Sequence, residues 1–255
     1  MTRVAVVLGA GHGIGRATAA RLNAGGCTTV LNSRTRSDLE KTASGFTGDR
    51  PVDLVPGDIT DPAFRRRLVQ QVERRHGRID VLVNNGPGPA PGAFDEIGTA
   101  DIGRAMDQKL VPYLDLIKAV APVMTRHGFG RIVNVVGNIG KEPEPAMFLS
   151  GLVNAALANA AKYLAGQYAP HHITVNCVHP GTIRTPRFDR AADHLSRTGG
   201  ISREEAESRL KDGISMGRPG EADEVAAVIA FLASAESSYL TGQQISVDGG
   251  QLTCV

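Results

Sequence analysis

The 255-residue chain contains no tryptophan, and aromatic residues make up only 4% of it. No cluster of rings is visible that would stack on a flat substrate. Charge of neither sign is in excess: 28 Lys and Arg face 26 Asp and Glu, for a formal +2, so nothing in the balance points to nucleic acid. No apolar run approaches the roughly 20 residues that a membrane helix needs, so no membrane partner is expected. Cysteine is scarce. Cys27, Cys177 and Cys254 are odd in number, scattered and without metal-ligand spacing, which predicts no metal site and a reducing, cytoplasmic setting. The first residues lead straight into a strand pattern rather than a signal-peptide pattern. Repeats and low-complexity tracts are also missing. Hydrophobic residues, at 42%, suffice for a sizeable core, and the length suits one long α/β domain.

What is present is organised around Arg3 to Ala20, RVAVVLGAGHGIGRATAA. Val4 to Leu8 form an uninterrupted apolar run, short enough to be a strand buried on both faces. Gly9, Gly11, Gly13 and Gly15 follow at once. Ile14, Thr18 and Leu22 then recur at four-residue spacing, as on one face of a helix. A strand, a glycine turn and a helix start in that order bring backbone N–H groups and a positive helix end to one point, which suits a phosphate.

The spacing Gly9-x3-Gly13-x-Gly15 resembles the fingerprint of the short-chain dehydrogenase/reductase family, with Leu8 where that family usually has Thr. The resemblance continues along nearly the whole chain. Asp58-Ile59 matches an Asp and small apolar residue that hold the adenine ring. Asn84-Asn85-Gly86-Pro87 resembles the family's NNAG element beside the nicotinamide ribose. Pro180-Gly181-Thr182-Ile183-Arg184-Thr185-Pro186 resembles PGxxxTP, with Ile183 and Thr185 meeting the carboxamide and pyrophosphate. The resemblance implies a single-domain α/β fold over residues 1–255. The fold is a Rossmann-type doubly wound parallel sheet of about seven strands with helices on both faces and ligand at the carboxyl ends of the strands. The implied cofactor residues are Gly9, His12, Gly13, Ile14, Gly15, Ser33, Arg34, Asp58, Ile59, Asn85, Gly86, Pro180, Gly181, Ile183 and Thr185. At the end of the second strand an acid would repel a 2′-phosphate; here Ser33 stands there, followed by Arg34 and Arg36, with His12 close by. This predicts NADP(H) over NAD(H).

Residues 187–217 are polar and glycine-dotted and read as a substrate lid with one or two short helices. Two long helices are expected, at about 100–127 and at 146–168, the second rich in alanine. In the family the corresponding pair forms a subunit interface, so the resemblance implies a homotetramer, or at least a homodimer. Small residues would equally suit packing within one subunit.

The family's reacting residues are a Ser after the fifth strand, a Tyr-x3-Lys on the next helix, and an Asn on the helix before that strand. In this alignment Gly137 takes the Ser position, Ser150 the Tyr position, Asn154 the Lys position and Lys109 the Asn position. No shift of register restores them, since the chain has no Ser between Ser44 and Ser150, no Tyr between Tyr113 and Tyr163, and no Lys between Lys141 and Lys162. An amide and an ammonium have exchanged places. A serine hydroxyl is a poor acid beside a phenol, so Lys109 is the candidate for the charge or the proton, with Ser150, Asn154 and Asn138 orienting a substrate oxygen. A Lys that merely reaches solvent or a buried carboxylate remains the other reading. Lys141, Glu142 and Glu144 either meet a polar substrate or form a solvated turn. His179 reads as a turn residue before Pro-Gly, and Tyr113 as facing a partner helix.

The expected activity is NADP(H)-dependent oxidoreduction of a small carbonyl, enone or imine through a non-standard proton-transfer site. Loss of the Tyr leaves open a non-redox isomerase, dehydratase or cyclase. A non-catalytic NADP-binding protein is the third reading.

Overall fold

Strand β1 (Val4–Leu8) is buried along its whole length and is an interior strand, third of the seven in the sheet. It pairs in parallel with β2 (Thr28–Ser33) on one side and β4 (Val81–Asn84) on the other. The computed structural model describes residues 2–254. The full order is β3-β2-β1-β4-β5-β6-β9, with β3 at Val52–Pro56, β5 at Gly130–Val135, β6 at Ile173–Pro180 and β9 at Gln244–Val247. All of these pairings are parallel. A parallel sheet must be covered on both faces, and the apolar runs of β1, β4, β5 and β6 meet that demand. Two core clusters result. One gathers Leu8, Leu68, Leu82, Leu116, Ile117 and Val153. The other gathers Val7, Leu22, Leu31, Val83 and Ile229 on the opposite face. The seven-stranded expectation is met. Just before β4 the buried Asp80 carboxylate accepts from the Val4 N–H at 2.8 Å and from Arg78, while its backbone N–H donates to the Val4 carbonyl at 2.9 Å.

The chain leaves β1 and β4 in opposite directions across the sheet, which opens a crevice at their carboxyl ends. Helix α1 (Gly13–Ala24) starts at one wall of it. Around the sheet lie α2 (Arg36–Ser44), α3 (Pro62–His76) and α9 (Ala222–Leu232).

The long helix expected at 100–127 is interrupted. It comprises α4 (Thr99–Ala105), a π turn (Met106–Leu110) and α5 (Val111–His127). Pro112 supplies the reason. It has no N–H to offer the Gln108 carbonyl and its ring crowds that oxygen, so the turn before it widens. Helix α6 (Phe148–Tyr168) is continuous. The lid segment forms two helices, α7 (Pro186–Gly199) and α8 (Arg203–Lys211). It is flanked by a two-stranded pair, β7 (Ile183–Arg184) and β8 (Gly220–Glu221). No helix of the described residues is long and apolar enough to cross a membrane.

Candidate active site

The glycine turn closes tightly on its surroundings. Gly13 has φ +49°, and a Cβ there would stand 2.9 Å from Thr185 Cγ2. A Cβ at Gly15 would lie 2.2 Å from the Gly9 oxygen, and one at Gly9 would meet Asn85 at 2.6 Å. A Cβ at Gly11 would lie 3.3 Å from Ser33 Oγ. The turn therefore brings Gly9, Gly13, Gly15, Ser33, Asn85 and Thr185 to one place. The N-cap His12 makes no side-chain cap bond, so the N–H groups of the first turn of α1 have no side-chain acceptor from it. A bare helix start walled by glycines is a shape that a pyrophosphate fits.

The other residues expected at the cofactor are placed individually. Ile14 packs on the core. Arg34 is exposed and forms no ion pair among the described residues, whereas Arg36 faces Glu40 at 3.8 Å. His12 Nε2 stands 3.8 Å from Asp38 Oδ1, a carboxylate that sequence reasoning passed over. Asp58 Oδ1 accepts from the N–H and the hydroxyl of Thr60, both at 2.9 Å. Ile59 Cδ1 lies 4.0 Å from where a Gly86 Cβ would be. Pro180 ends β6, the Gly181 N–H donates to the Val247 carbonyl at 3.1 Å, and Ile183 is buried in β7.

Lys109 and Asn154 meet directly. Lys109, on the π turn, is only 4% exposed, and its Nζ donates to Asn154 Oδ1 at 2.8 Å. Its ammonium also lies 5.8 Å from the Tyr113 ring centre. No carboxylate of the described residues pairs with it. The neighbouring Cys177 thiol is pushed up to about 12, chiefly by burial, and so is no counter-ion at neutral pH. Burial, and secondarily the Arg187 guanidinium, lower the Lys109 pKa from 10.5 to about 7. Asn154, having given its oxygen to Lys109, turns its amide nitrogen toward Gly137, where a Cβ would stand 3.3 Å away.

Ser150 lies one turn before Asn154 on the same face of α6. It is buried, and its Oγ donates a long bond, 3.3 Å, to the Pro89 carbonyl. A Cβ on Gly88 would be 3.2 Å from that Oγ and 4.0 Å from Arg187 Nη1. The loop after β4, helix α6 and the start of α7 thus meet around Gly88.

Asn138 opens the short 3₁₀ turn Asn138–Gly140 after β5. Its backbone carbonyl accepts from Lys141 and Glu142, and Gly140, not Asn138, packs against Asn154. Lys141 and Glu142 are not free in their turn. Lys141 Nζ donates to Ser246 Oγ at 3.1 Å, and Glu142 accepts from the Thr253 N–H and hydroxyl at 3.0 and 2.7 Å. Together they tie the loop after β5 to the C-terminal segment. His179 is buried beneath Gly137, and burial lowers its pKa to about 4, as befits a neutral structural ring.

Tyr113 corrects a reading. It does not face outward to a partner helix but is fully buried, with its hydroxyl 3.3 Å from where a Gly86 Cβ would be. That hydroxyl has no hydrogen-bond partner among the described residues. Its position four residues after Lys109 puts the two on one helix face, a signal the sequence did contain. Arg187 was also missed, because a lid arginine carries no local mark of what it faces.

A family model described as enoyl-(acyl carrier protein) reductase matches residues 9–251. The chain is 43% identical over 256 residues to the NADPH-dependent reductase BacG of Bacillus subtilis, covering 99% of each. It is 34% identical over 251 residues to the 3-oxoacyl-[acyl-carrier-protein] reductase FabG of Thermotoga maritima, covering 97% of each. Among solved structures, YwfH, an NADPH-dependent reductase involved in bacilysin biosynthesis, matches with a TM-score of 0.95 at 41% identity, both chains covered in full. The L-sorbose reductase of Gluconobacter frateurii, solved with NADPH and L-sorbose, matches with a TM-score of 0.95 at 26% identity, covering 100% of this chain and 98% of the other.

Proposed function

The chain belongs to the short-chain dehydrogenase/reductase family, and from that premise we propose that it is an NADPH-dependent reductase whose proton passes through Lys109 instead of a tyrosine. In this reading the first turn of α1, with Gly9, His12, Gly13, Ile14 and Gly15, holds the pyrophosphate. Ser33 and Arg34 take the 2′-phosphate, since serine leaves room and the guanidinium is unpaired. Asp58 and Ile59 border the adenine, and Asn85, Gly86, Pro180, Gly181, Ile183 and Thr185 border the nicotinamide side. Bound there, the cofactor supplies a hydride to a small carbonyl, enone or imine.

The protein's own part is the proton. The observation that carries the reading is the 2.8 Å bond between Lys109 Nζ and Asn154 Oδ1. Asn154 fixes the direction of the ammonium. Burial brings the Lys109 pKa to about 7, where the group can both give and regain a proton near neutrality. The Ser150 hydroxyl and the Asn154 amide nitrogen orient the substrate oxygen, and Gly137 leaves space where the family has a Ser. An unpaired ammonium held only by an amide has no structural purpose that a Leu or Met would not serve at lower cost. Helices α7 and α8 form the lid over this pocket. Subunits associate as a homotetramer, or as a homodimer, through the faces of α5 and α6 that expose Val111 and Tyr163.

The test is loss of NADPH absorbance during turnover of a panel of small carbonyls, enones and imines. The expected result is oxidation with at least one class, reduced about a hundredfold or more in Lys109→Met, within the range that general acid catalysis contributes. Wild-type turnover in both Lys109→Met and Lys109→Arg would remove Lys109 from the reaction.

A further inference from the structure

Resting on that reductase reading, we infer that Arg187 is a specificity residue of the site and that the substrate carries a carboxylate near the group being reduced. Arg187 is the second residue of α7, and its backbone is fixed from both sides. The Phe188 N–H donates to the Thr185 carbonyl at 2.8 Å, and Phe188 and Ala192 are buried beneath the helix. Its guanidinium reaches toward Gly88, in the loop after β4. Arg187 Nη1 and Ser150 Oγ both stand within 4.0 Å of the one point where a Gly88 Cβ would be. A ligand oxygen on the serine therefore lies within a few bonds of a ligand group on the arginine.

The charges around Arg187 are not balanced. Three other arginines near the lid are engaged: Arg184 with Glu221 at 3.5 Å, Arg203 with Asp189 at 3.1 Å and Arg218 with Glu224 at 2.7 Å. Arg187 has no such partner among the described residues, and neither does Lys109. Two cations thus face one pocket, close enough that the Arg187 charge weakens the hold of Lys109 on its proton. An anion seated there relieves that repulsion and returns the proton to Lys109, readying the acid as the substrate arrives. A guanidinium presents a planar fork that fits a carboxylate with two parallel bonds. The nearness of Ser150 selects a short molecule; the phosphate of a carrier-borne pantetheine arm would sit many bonds from the reacting carbon.

The experiment is calorimetric titration of levulinate and of methyl levulinate into the NADP⁺-loaded protein, wild type and Arg187→Ala. This pair differs only in the carboxylate. The expected result is an acid-over-ester preference of about tenfold or more in the wild type, the size of one charge-assisted hydrogen bond. The preference is lost in Arg187→Ala and partly kept in Arg187→Lys, with NADP⁺ affinity unchanged in both. Equal binding of acid and ester by the wild type, including binding of neither, overturns the assignment. So does a matching loss of NADP⁺ affinity in Arg187→Ala, which would place the guanidinium on the cofactor. Failure of the reductase reading would look different: the acid preference would stand while no panel substrate consumed NADPH.

Discussion

Replacing Lys109 by Met should change how stability depends on pH, and by an amount the structure sets. In the unfolded chain Lys109 keeps its proton up to about 10.5; in the fold burial brings that value to about 7. Between the two values the unfolded state binds the extra proton. Stability therefore rises with pH across this window, by at most about 1.4 kcal/mol per unit, and levels off above the unfolded value. Below about pH 7 the ammonium stays buried at its full cost. Lys109→Met has no such group, and all other titrations cancel in the comparison. The stability of the wild type relative to Lys109→Met should then increase by about 2.5 kcal/mol between about pH 7.5 and 9.5. Urea denaturation of both proteins across that interval reads the difference directly. Parallel stability curves would refute the reasoning, because they would mean that Lys109 titrates alike in the fold and in the unfolded chain.

Three further outcomes follow from residues around the crevice. Ser33→Asp places a carboxylate where the 2′-phosphate is proposed to sit, and should shift the NADPH-to-NADH affinity ratio by about tenfold or more toward NADH, read by fluorescence titration. Tyr113→Phe removes a buried hydroxyl that lacks a partner, so it should stabilise the protein by about 1 kcal/mol and leave turnover near wild type. A Cβ on Gly86 would press on that same hydroxyl at 3.3 Å, so Gly86→Ala should cost about 1 kcal/mol in the wild type and almost nothing in Tyr113→Phe. A large loss of turnover in Tyr113→Phe would instead bring the phenol into the reaction.

The fold was legible because its signals are local. The Val4–Leu8 run, the glycines behind it and the start of α1 need no tertiary information, and β4, β5 and β6 are buried along their whole length as β1 is. Ser150 and Asn154 could be paired from their spacing on α6. The contact between Lys109 and Asn154 was legible only as an exchange of residue types, since α4, α5 and α6 are separate in sequence. The π turn was not read, because its residues fit a helical period; Pro112 was the one mark of it. Lys141 and Glu142 looked like a charged turn because their partners, Ser246 and Thr253, lie about a hundred residues away. Arg187 and Asp38 were missed for the same reason, since a charged side chain says nothing locally about which surface it meets.

The claim that Lys109 handles the proton is tested most directly by the pH dependence of kcat/KM for NADPH oxidation with the best panel substrate. An acid with its pKa near 7 must be protonated to act. The account predicts a level profile below about pH 7 and a tenfold fall per unit above it, with that break gone in Lys109→Arg. A profile that runs flat through neutrality and breaks only near 10, where a phenol or an unburied lysine titrates, would contradict it.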